Sequence, residues 1–232
     1  MTAPIRLSKR LVEMTACSRR EAELLITGGW VSVAGVLVEE PQFMVDEELV
    51  ELHPDAVALP LEPVTLLVHQ AALAPDLPIN AATRAAEDES GIRLLKQHSA
   101  HLTACLPLER NASGLLVATQ DWRGARKLND DAALIEQEYI VEVVGTLSAE
   151  GLRLLNHGLK FNGRALAPIK VSWQNETKLR FAVKGSVAGQ ITHACITVGL
   201  QVVALKRIRI GRVALAKLPP STWRYLQSHE KF

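Results

Sequence analysis

Aromatic residues are scarce in this chain of 232 residues: they account for 4% of it, against 48% for all hydrophobic residues and 22% for charged ones. The core must therefore be built mainly from leucine, valine, isoleucine and alanine, and the apolar content is too high for a disordered chain. No uncharged apolar run approaches the ~20 residues that a membrane-spanning helix needs. The charged start MTAPIRLSKR is not followed by the apolar segment of a secretory signal.

Cysteine is also rare, and its three copies, Cys17, Cys105 and Cys195, lie far apart without any paired metal-ligand spacing. This pattern predicts reduced thiols in a cytoplasmic protein. His98 and His101 have a spacing that would place them on one helical face, but no third ligand is close in sequence. We therefore predict no metal site.

Positive charge is absent from residues 21–83, which hold eleven acids, and is concentrated at the two ends of the chain. Residues 1–20 carry five Lys or Arg residues against Glu13, and residues 201–232 carry seven against Glu230. Clustered cations attract a phosphate backbone whatever the net charge, which is only +1 here. The distribution makes a polyanionic partner plausible, although solvated helix and strand faces would produce the same clusters.

The first forty residues read as helix, capped helix and hairpin. Apolar residues recur with helical spacing over residues 5–15, and Ser18 with Glu21 forms a capping box that starts a second helix. Gly28 and Gly29 end this helix. Alternating residues 31–38 around Ala34-Gly35 then predict a hairpin with a two-residue turn.

This order of elements resembles the alpha-L RNA-binding motif, and the match rests on the segments RLSK (6–9), SRREAE (18–23) and GWVSVAG (29–35). The resemblance implies an RNA-binding domain over residues 1–46. Arg19 and Arg20 fall in the first turn of the capped helix, where free backbone N–H groups already favour anions. Together with Lys9 and Arg10 they are the candidate phosphate contacts of this domain.

An acidic segment with two prolines, residues 47–62, reads as a linker or edge segment, followed by a second domain over residues 63–232. Strands are predicted at 65–68, 114–119, 139–144, 165–173, 178–183 and 201–206, and helices at 91–97, 122–128, 148–157 and 189–198. The fold class is α+β, a small helix-helix-hairpin domain followed by a mixed, mainly antiparallel sheet domain.

Three segments of the second domain resemble the bacterial ribosomal RNA pseudouridine synthases that carry an alpha-L domain in front. LERNASGLLVAT (108–119) is similar to that family's RLDxxTSGLLLLT, and EYIVEV (138–143) is similar to its KxYxVxV strand. VGLQVVALKRIRIG (198–211) and LPPSTWRYL (218–226) are similar to its closing segment. The resemblance implies a pseudouridine synthase fold and isomerisation of uridine to pseudouridine in a flipped-out base, without a cofactor.

The resemblance assigns roles to two residues and shows replacements at the rest of the pocket. Glu109 stands where the family has its catalytic aspartate, and Tyr139 matches the tyrosine that stacks on the base. The basic residue two positions before that tyrosine is Gln137, and the arginine that pairs with the aspartate is Gly189. Two further positions differ: Pro107 replaces an arginine, and HQAA (69–72) replaces the family's KPxG loop. Arg84, Arg93 and Arg110 are the candidates to supply the missing charge.

The sequence thus predicts a cytoplasmic, monomeric protein that binds RNA, of ribosomal origin, and whose isomerase activity is lost or weakened. Lys206, Arg207 and Arg209 are the candidate RNA contacts of the second domain. The alternative is an active pseudouridine synthase that uses Glu109 in place of aspartate, with Tyr139 against the base. A third hypothesis is a protein-interaction module that docks through the acidic segment 39–62, for which RNA binding would be absent or insensitive to salt.

Overall fold

The computed structural model describes residues 4–109, 111–157 and 159–232. The chain forms two compact units. The first comprises the described residues up to Pro63 together with Arg93–His101, and the second comprises Val64–Ile92 with Leu102–Phe232. Across the described ranges, no helix is both long and apolar enough to span a membrane.

The first unit has the predicted helix-helix-hairpin order. Its elements are β1 (Ile5–Arg6), α1 (Leu7–Thr15), α2 (Arg19–Thr27), β2 (Val31–Val33), β3 (Val36–Leu37), β4 (Met44–Val45), β5 (Val50–Leu52) and a 3₁₀ turn at Lys96–Ser99. The capping box is confirmed: the Ser18 hydroxyl accepts from the Glu21 N–H at 3.2 Å, and the Glu21 carboxylate accepts from the Ser18 N–H at 2.7 Å. Ala34 and Gly35 both have positive φ, 50° and 76°, as a primed two-residue turn requires.

The segment 47–62, predicted as a linker or edge segment, contributes an edge strand. β5 pairs with β2, with Val50 opposite Val33, and completes a three-stranded sheet. Val50 is buried and Glu51 exposed, so Glu51 occupies the solvent face of this strand. The helix predicted at 91–97 is reduced to the 3₁₀ turn at Lys96–Ser99.

The second unit is built on a nine-stranded sheet. Its elements are β6 (Thr65–Gln70), β7 (Thr103–Cys105), β8 (Ala112–Thr119), α3 (Trp122–Asp130), β9 (Glu136–Val144), α4 (Ala149–Asn156), β10 (Lys160–Phe161), β11 (Arg164–Ala165), β12 (Lys170–Trp173), β13 (Lys178–Lys184), α5 (Gln190–Thr197), β14 (Gln201–Ile210), β15 (Val213–Ala214) and β16 (Trp223–Tyr225). The strand order is β12-β13-β9-β14-β8-β6-β16, with β15 beside β14 and β7 beside β8. Only the β14–β8 pairing is parallel among these described strands, so the predicted α+β class with a mainly antiparallel sheet is confirmed.

The strand predicted at 165–173 is interrupted. Arg164–Ala165 forms a separate hairpin with Lys160–Phe161, and the sheet strand begins only at Lys170. Pro168 lies in the gap, where it has no N–H to donate to a ladder. The β10–β11 hairpin therefore stands apart from the main sheet.

Gly114 allows the parallel strands β8 and β14 to approach each other closely at the centre of the sheet. It has φ +112°, and a Cβ at this position would lie 2.1 Å from the Arg207 carbonyl oxygen. One hydrophobic cluster, which includes Leu67, Leu115 and Ile210, packs with α3, and a second, which includes Tyr139 and Ile191, packs with α4 and α5. The central strands thus bring the motif segments together between two cores.

Candidate functional site

The candidate catalytic pocket lies at the start of β8. It has a volume of about 410 Å³ and is lined by residues 70–76 of the loop after β6, apart from Ala72, and by the segment leading into β8, which includes Pro107 and Glu109. Gln70 and Ala71, from the segment that stands in place of the family's KPxG loop, are among the lining residues. The structure therefore brings two of the predicted motif segments to one cavity.

Glu109 has no cation beside it in the part of the chain that the structure describes. Burial raises the pKa of its carboxyl group, and a hydrogen bond from the Gly189 backbone N–H partly offsets this rise. The resemblance aligns Gly189 with the family's pairing arginine. Gly189 has φ +82° and precedes α5.

Tyr139 is 5% exposed and belongs to the core cluster around Val141 and Phe181. Its hydroxyl donates to the Gln137 side-chain oxygen at 2.9 Å. It is not one of the described residues that line the Glu109 pocket. The structure thus does not bring the two predicted catalytic residues together in one cavity.

Arg207 is buried, with 1% of its surface exposed, and this contradicts its prediction as an RNA contact. Its Nε donates to the Leu115 carbonyl at 2.8 Å and Nη1 donates to the Gln137 oxygen at 3.0 Å, while Nη2 has no partner among the described residues. Burial lowers the pKa of this guanidinium, and its electrostatic interaction with Tyr139 partly counteracts the shift. Arg207, Gln137 and Tyr139 therefore form a buried polar network that includes no carboxylate.

The other two predicted contacts on β14 differ from each other. Arg209 is paired with both Glu136 and Glu138 at 2.6 Å, so its charge is compensated within the protein. The same bond from Arg209 is the main reason that the pKa of Glu138 is lowered. Lys206 is half-buried and has no ion pair with a described carboxylate. Burial lowers the pKa of His69, and the positive charge of Lys206 lowers it further.

A groove of about 600 Å³ in the first unit collects three of its cations. Arg6, Lys9 and Arg19 line it together with apolar residues of β1, α1 and β4. Lys9 lies 4.0 Å from Glu13 and Arg19 3.0 Å from Glu23, but both cations are strongly exposed, at 66% and 74%, and such pairs are weak. Two of the four predicted contacts, Lys9 and Arg19, thus share a groove with Arg6, which the charge pattern included but the site prediction omitted.

The remaining predicted contacts of this unit lie outside that groove. Arg10 is half-buried and donates to the Asp46 carbonyl at 2.6 Å. Arg20 is exposed and forms no ion pair with any described carboxylate. Arg20 is therefore more accessible than Arg10 for contact with an external anion.

Neither of the two described candidates for the missing pocket arginine pairs with Glu109. Arg84 is bonded to Asp88 at 2.8 Å and lies over the Tyr225 ring at 5.0 Å. Arg93 lies over the Trp30 ring at 4.6 Å and donates to the Gly29 carbonyl. Arg110 falls outside the described residues.

No group of three His, Cys, Asp or Glu side chains within the described ranges is arranged to hold a metal ion. His98 is buried and His101 exposed. Cys105 and Cys195 are buried free thiols, and burial raises the pKa of Cys195 to about 12. Such a thiol is a poor nucleophile at neutral pH.

Comparison with solved structures defines the class of fold. The chain matches a crystal structure of a pseudouridylate synthase over 96% of both chains, with a TM-score of 0.59 and 16% sequence identity. At this level of identity the match establishes the fold and leaves the activity open. No protein-family model matches the sequence.

Comparison with curated proteins adds relatives over nearly the whole chain. An RNA pseudouridine synthase of Aquifex aeolicus, itself described as uncharacterized, is 28% identical over 97% of this chain and 94% of its own length. The dual-specificity RNA pseudouridine synthase RluF of Escherichia coli is 26% identical over 97% of this chain and 77% of its own, and ribosomal large subunit pseudouridine synthase B of Bacillus subtilis is 26% identical over 97% and 93%. These matches confirm the resemblance to the bacterial ribosomal RNA pseudouridine synthases.

Proposed function

We propose that the protein binds ribosomal RNA with the pseudouridine synthase fold and that its uridine isomerase activity is weakened or absent. The relatives named above act on RNA, in two cases ribosomal or of dual specificity by their names, which supports the choice of ligand. The observation that carries the proposal is the environment of Glu109, whose carboxylate is held by one backbone N–H and by no described cation. We expect a cytoplasmic monomer.

The pocket is poorly equipped to hold a charged carboxylate. An ionised group at this position is required by the chemistry that the resemblance implies. Burial, with no cation beside Glu109 among the described residues, favours the neutral acid instead. Glutamate is also one methylene longer than aspartate. A displacement of the reacting oxygen of about 1 Å can cost on the order of 100-fold in rate. Both effects act against the isomerase.

The first unit supports the RNA-binding part of the proposal. Its groove presents Arg6, Lys9 and Arg19 together, with Arg20 exposed nearby in the first turn of α2. Contacts of this kind go to phosphate oxygens, so they provide affinity and position but read no sequence. Binding should therefore weaken steeply with salt.

The alternative remains an active synthase that uses Glu109. The hydrogen bond from Gly189 favours it, since this N–H gives the carboxylate a fixed partner and stabilises its ionised form. The groups that would have to assist are Tyr139 and Arg207, both of which are buried beside Gln137. Base entry would then require this network to open.

One paired experiment separates these possibilities. Unmodified ribosomal RNA transcripts carrying tritium at uridine C5 are bound to the protein at several salt concentrations, and tritium release is measured on the same samples. We expect salt-sensitive binding without release above that of Glu109→Ala. The triple variant R6Q/K9Q/R19Q should lower affinity roughly 100-fold at 0.1 M salt if each cation neutralises one phosphate.

Two outcomes would contradict the proposal. Release that disappears in Glu109→Ala would establish the alternative, a working synthase. Absent or salt-insensitive RNA binding would instead favour the protein-interaction hypothesis for the acidic segment. Glu109→Asp combined with Gly189→Arg tests the pocket further: release gained by this double variant would mean that the rest of the reaction site is intact.

A further inference from the structure

The segment that precedes β14 carries an excess of positive charge. Residues 157–200 contain six Lys or Arg residues and one acid, Glu176. Lys178 and Arg180 are paired with Glu142 and Glu138 on β9. The other four are exposed and form no ion pair with any carboxylate that the structure describes: Lys160, Arg164, Lys170 and Lys184.

The fold brings these four cations to one region of the second unit. A groove of about 450 Å³, here called the β10–β11 groove, is lined by Arg164 from β11, by Lys184 from the end of β13 and by the Phe161 ring. Lys160 lies on β10 opposite Ala165, next to Arg164. Lys170 lies opposite Ala182, two residues before Lys184, so these two lysines share a face of the sheet.

The groove adjoins the Glu109 pocket. On one side of Gly189 its N–H donates to the Glu109 carboxylate. On another side, the Phe161 ring lies 3.7 Å from the position that a Cβ on Gly189 would occupy. One residue thus separates the wall of the basic groove from the carboxylate of the candidate catalytic pocket.

The chemistry of the groove suits a nucleic acid strand. Uncompensated, exposed Lys and Arg side chains attract phosphates and release the counterions that screen them. The Phe161 and His193 rings, whose centroids are 5.2 Å apart, offer a surface on which an unpaired base can stack. Cations and an aromatic surface beside a pocket can hold the backbone next to one extruded nucleotide.

We propose that the β10–β11 groove binds the phosphodiester backbone of RNA next to the nucleotide that faces Glu109. This inference rests on the proposed RNA-binding function. It assigns the RNA surface of the second unit to Arg164 and Lys184, flanked by Lys160 and Lys170, in place of β14. On β14, Arg207 is buried and Arg209 is compensated by two glutamates.

The test compares two double variants that remove the same charge. R164Q/K184Q acts in the groove, whereas R126Q/R153Q removes two exposed helix cations of the same unit that are paired with Asp130 and Glu150. Binding of unmodified ribosomal RNA transcript is measured for both between 50 and 300 mM salt. A third variant, R164K/K184R, keeps the charge, and thermal melting checks that each variant folds.

If the groove binds the backbone, R164Q/K184Q should lose about 30-fold in affinity at 0.1 M salt. The slope of its log affinity against log salt concentration should also decrease, by the equivalent of between one and two phosphate contacts. R126Q/R153Q and R164K/K184R should both stay within about 3-fold of the wild type. If the wild type binds in a salt-sensitive way but R164Q/K184Q and R126Q/R153Q lose the same affinity, this inference alone is overturned. The same holds if R164K/K184R loses as much affinity as R164Q/K184Q. Failure of the wild type to bind RNA would overturn the proposed function as well.

Discussion

At the scale of single residues, the two charged groups Glu109 and Arg207 are hydrogen-bonded to neutral partners. Glu109 meets a backbone N–H at the position that the resemblance assigns to an arginine, and the Arg207 guanidinium meets the Gln137 amide oxygen and no described carboxylate. An unpaired buried charge is costly, and proteins reduce the cost by shifting the pKa of the group. The directions of shift at Glu109 and Arg207, both toward the neutral form, follow from this rule.

The raised pKa of Glu109 predicts a pH-dependent cost of folding. Because the folded protein holds this proton more tightly than the unfolded chain, stability falls as the pH rises from the ordinary value of 4.5 through the raised pKa. Glu109→Gln has no proton to lose. Urea unfolding between pH 4 and pH 8 should therefore show that the free energy of unfolding of the variant increases relative to that of the wild type as the pH rises. The exposed Glu87→Gln serves as control. A difference that does not change with pH would contradict the assignment.

Gln137 provides a second prediction at this scale. Its side-chain oxygen accepts from both Arg207 and Tyr139, so Gln137→Lys would place a second cation against a buried one. We expect a loss of about 3 kcal/mol or more in the free energy of unfolding. Gln137→Glu, which keeps an acceptor and adds a counter-charge, should cost less than about 1 kcal/mol in the same urea titration. Equal losses for the two variants would show that charge is not the deciding factor.

At the scale of elements, local patterns were predictable and tertiary pairings were not. The capping box at Ser18 and the helix started by Ser148 follow from side chains that bond neighbouring backbone groups. Strand β5 was not predicted because Glu51 and the acidic residues around it obscure the short alternation of buried and exposed side chains. Arg207 and Arg209 were predicted together with Lys206 from the positive charge of their segment, but the ladder between β14 and β9 shifts register between the two arginines. One arginine therefore enters the core while the other pairs at the surface.

Gly114 carries a prediction at the scale of the sheet. In Gly114→Ala the new Cβ would collide with the Arg207 backbone and would also be strained at φ +112°, so we expect a loss of about 3 kcal/mol or more. Gly163→Ala is the matched control, because Gly163 has φ +76° but no atom within 4 Å of its Cβ position. It should cost about 1 kcal/mol. Denaturant unfolding of both variants measures the difference, and equal losses would rule out the close approach of β8 and β14 as the cause.

At the scale of the whole molecule, the motif segments were sufficient to predict the fold and the family resemblance. Their glycine and apolar residues build the central strands. The polar pocket could be predicted only as a set of replacements, since sequence could not show that the Gly189 N–H would reach Glu109 or that Tyr139 would be buried. The basic groove beside the β10–β11 hairpin was missed because its cations are scattered along the sequence and meet only in the folded unit.

The most direct test of the central claim is tritium release from C5-labelled ribosomal RNA across pH 6 to pH 9, with saturating protein and binding verified in each sample. We expect tritium release by the wild type to equal that of Glu109→Ala at every pH. Release that rises with pH through the raised pKa of Glu109, as its ionised form accumulates, and that is absent from Glu109→Ala would contradict it. That result would identify the protein as a working pseudouridine synthase with glutamate in the role of aspartate.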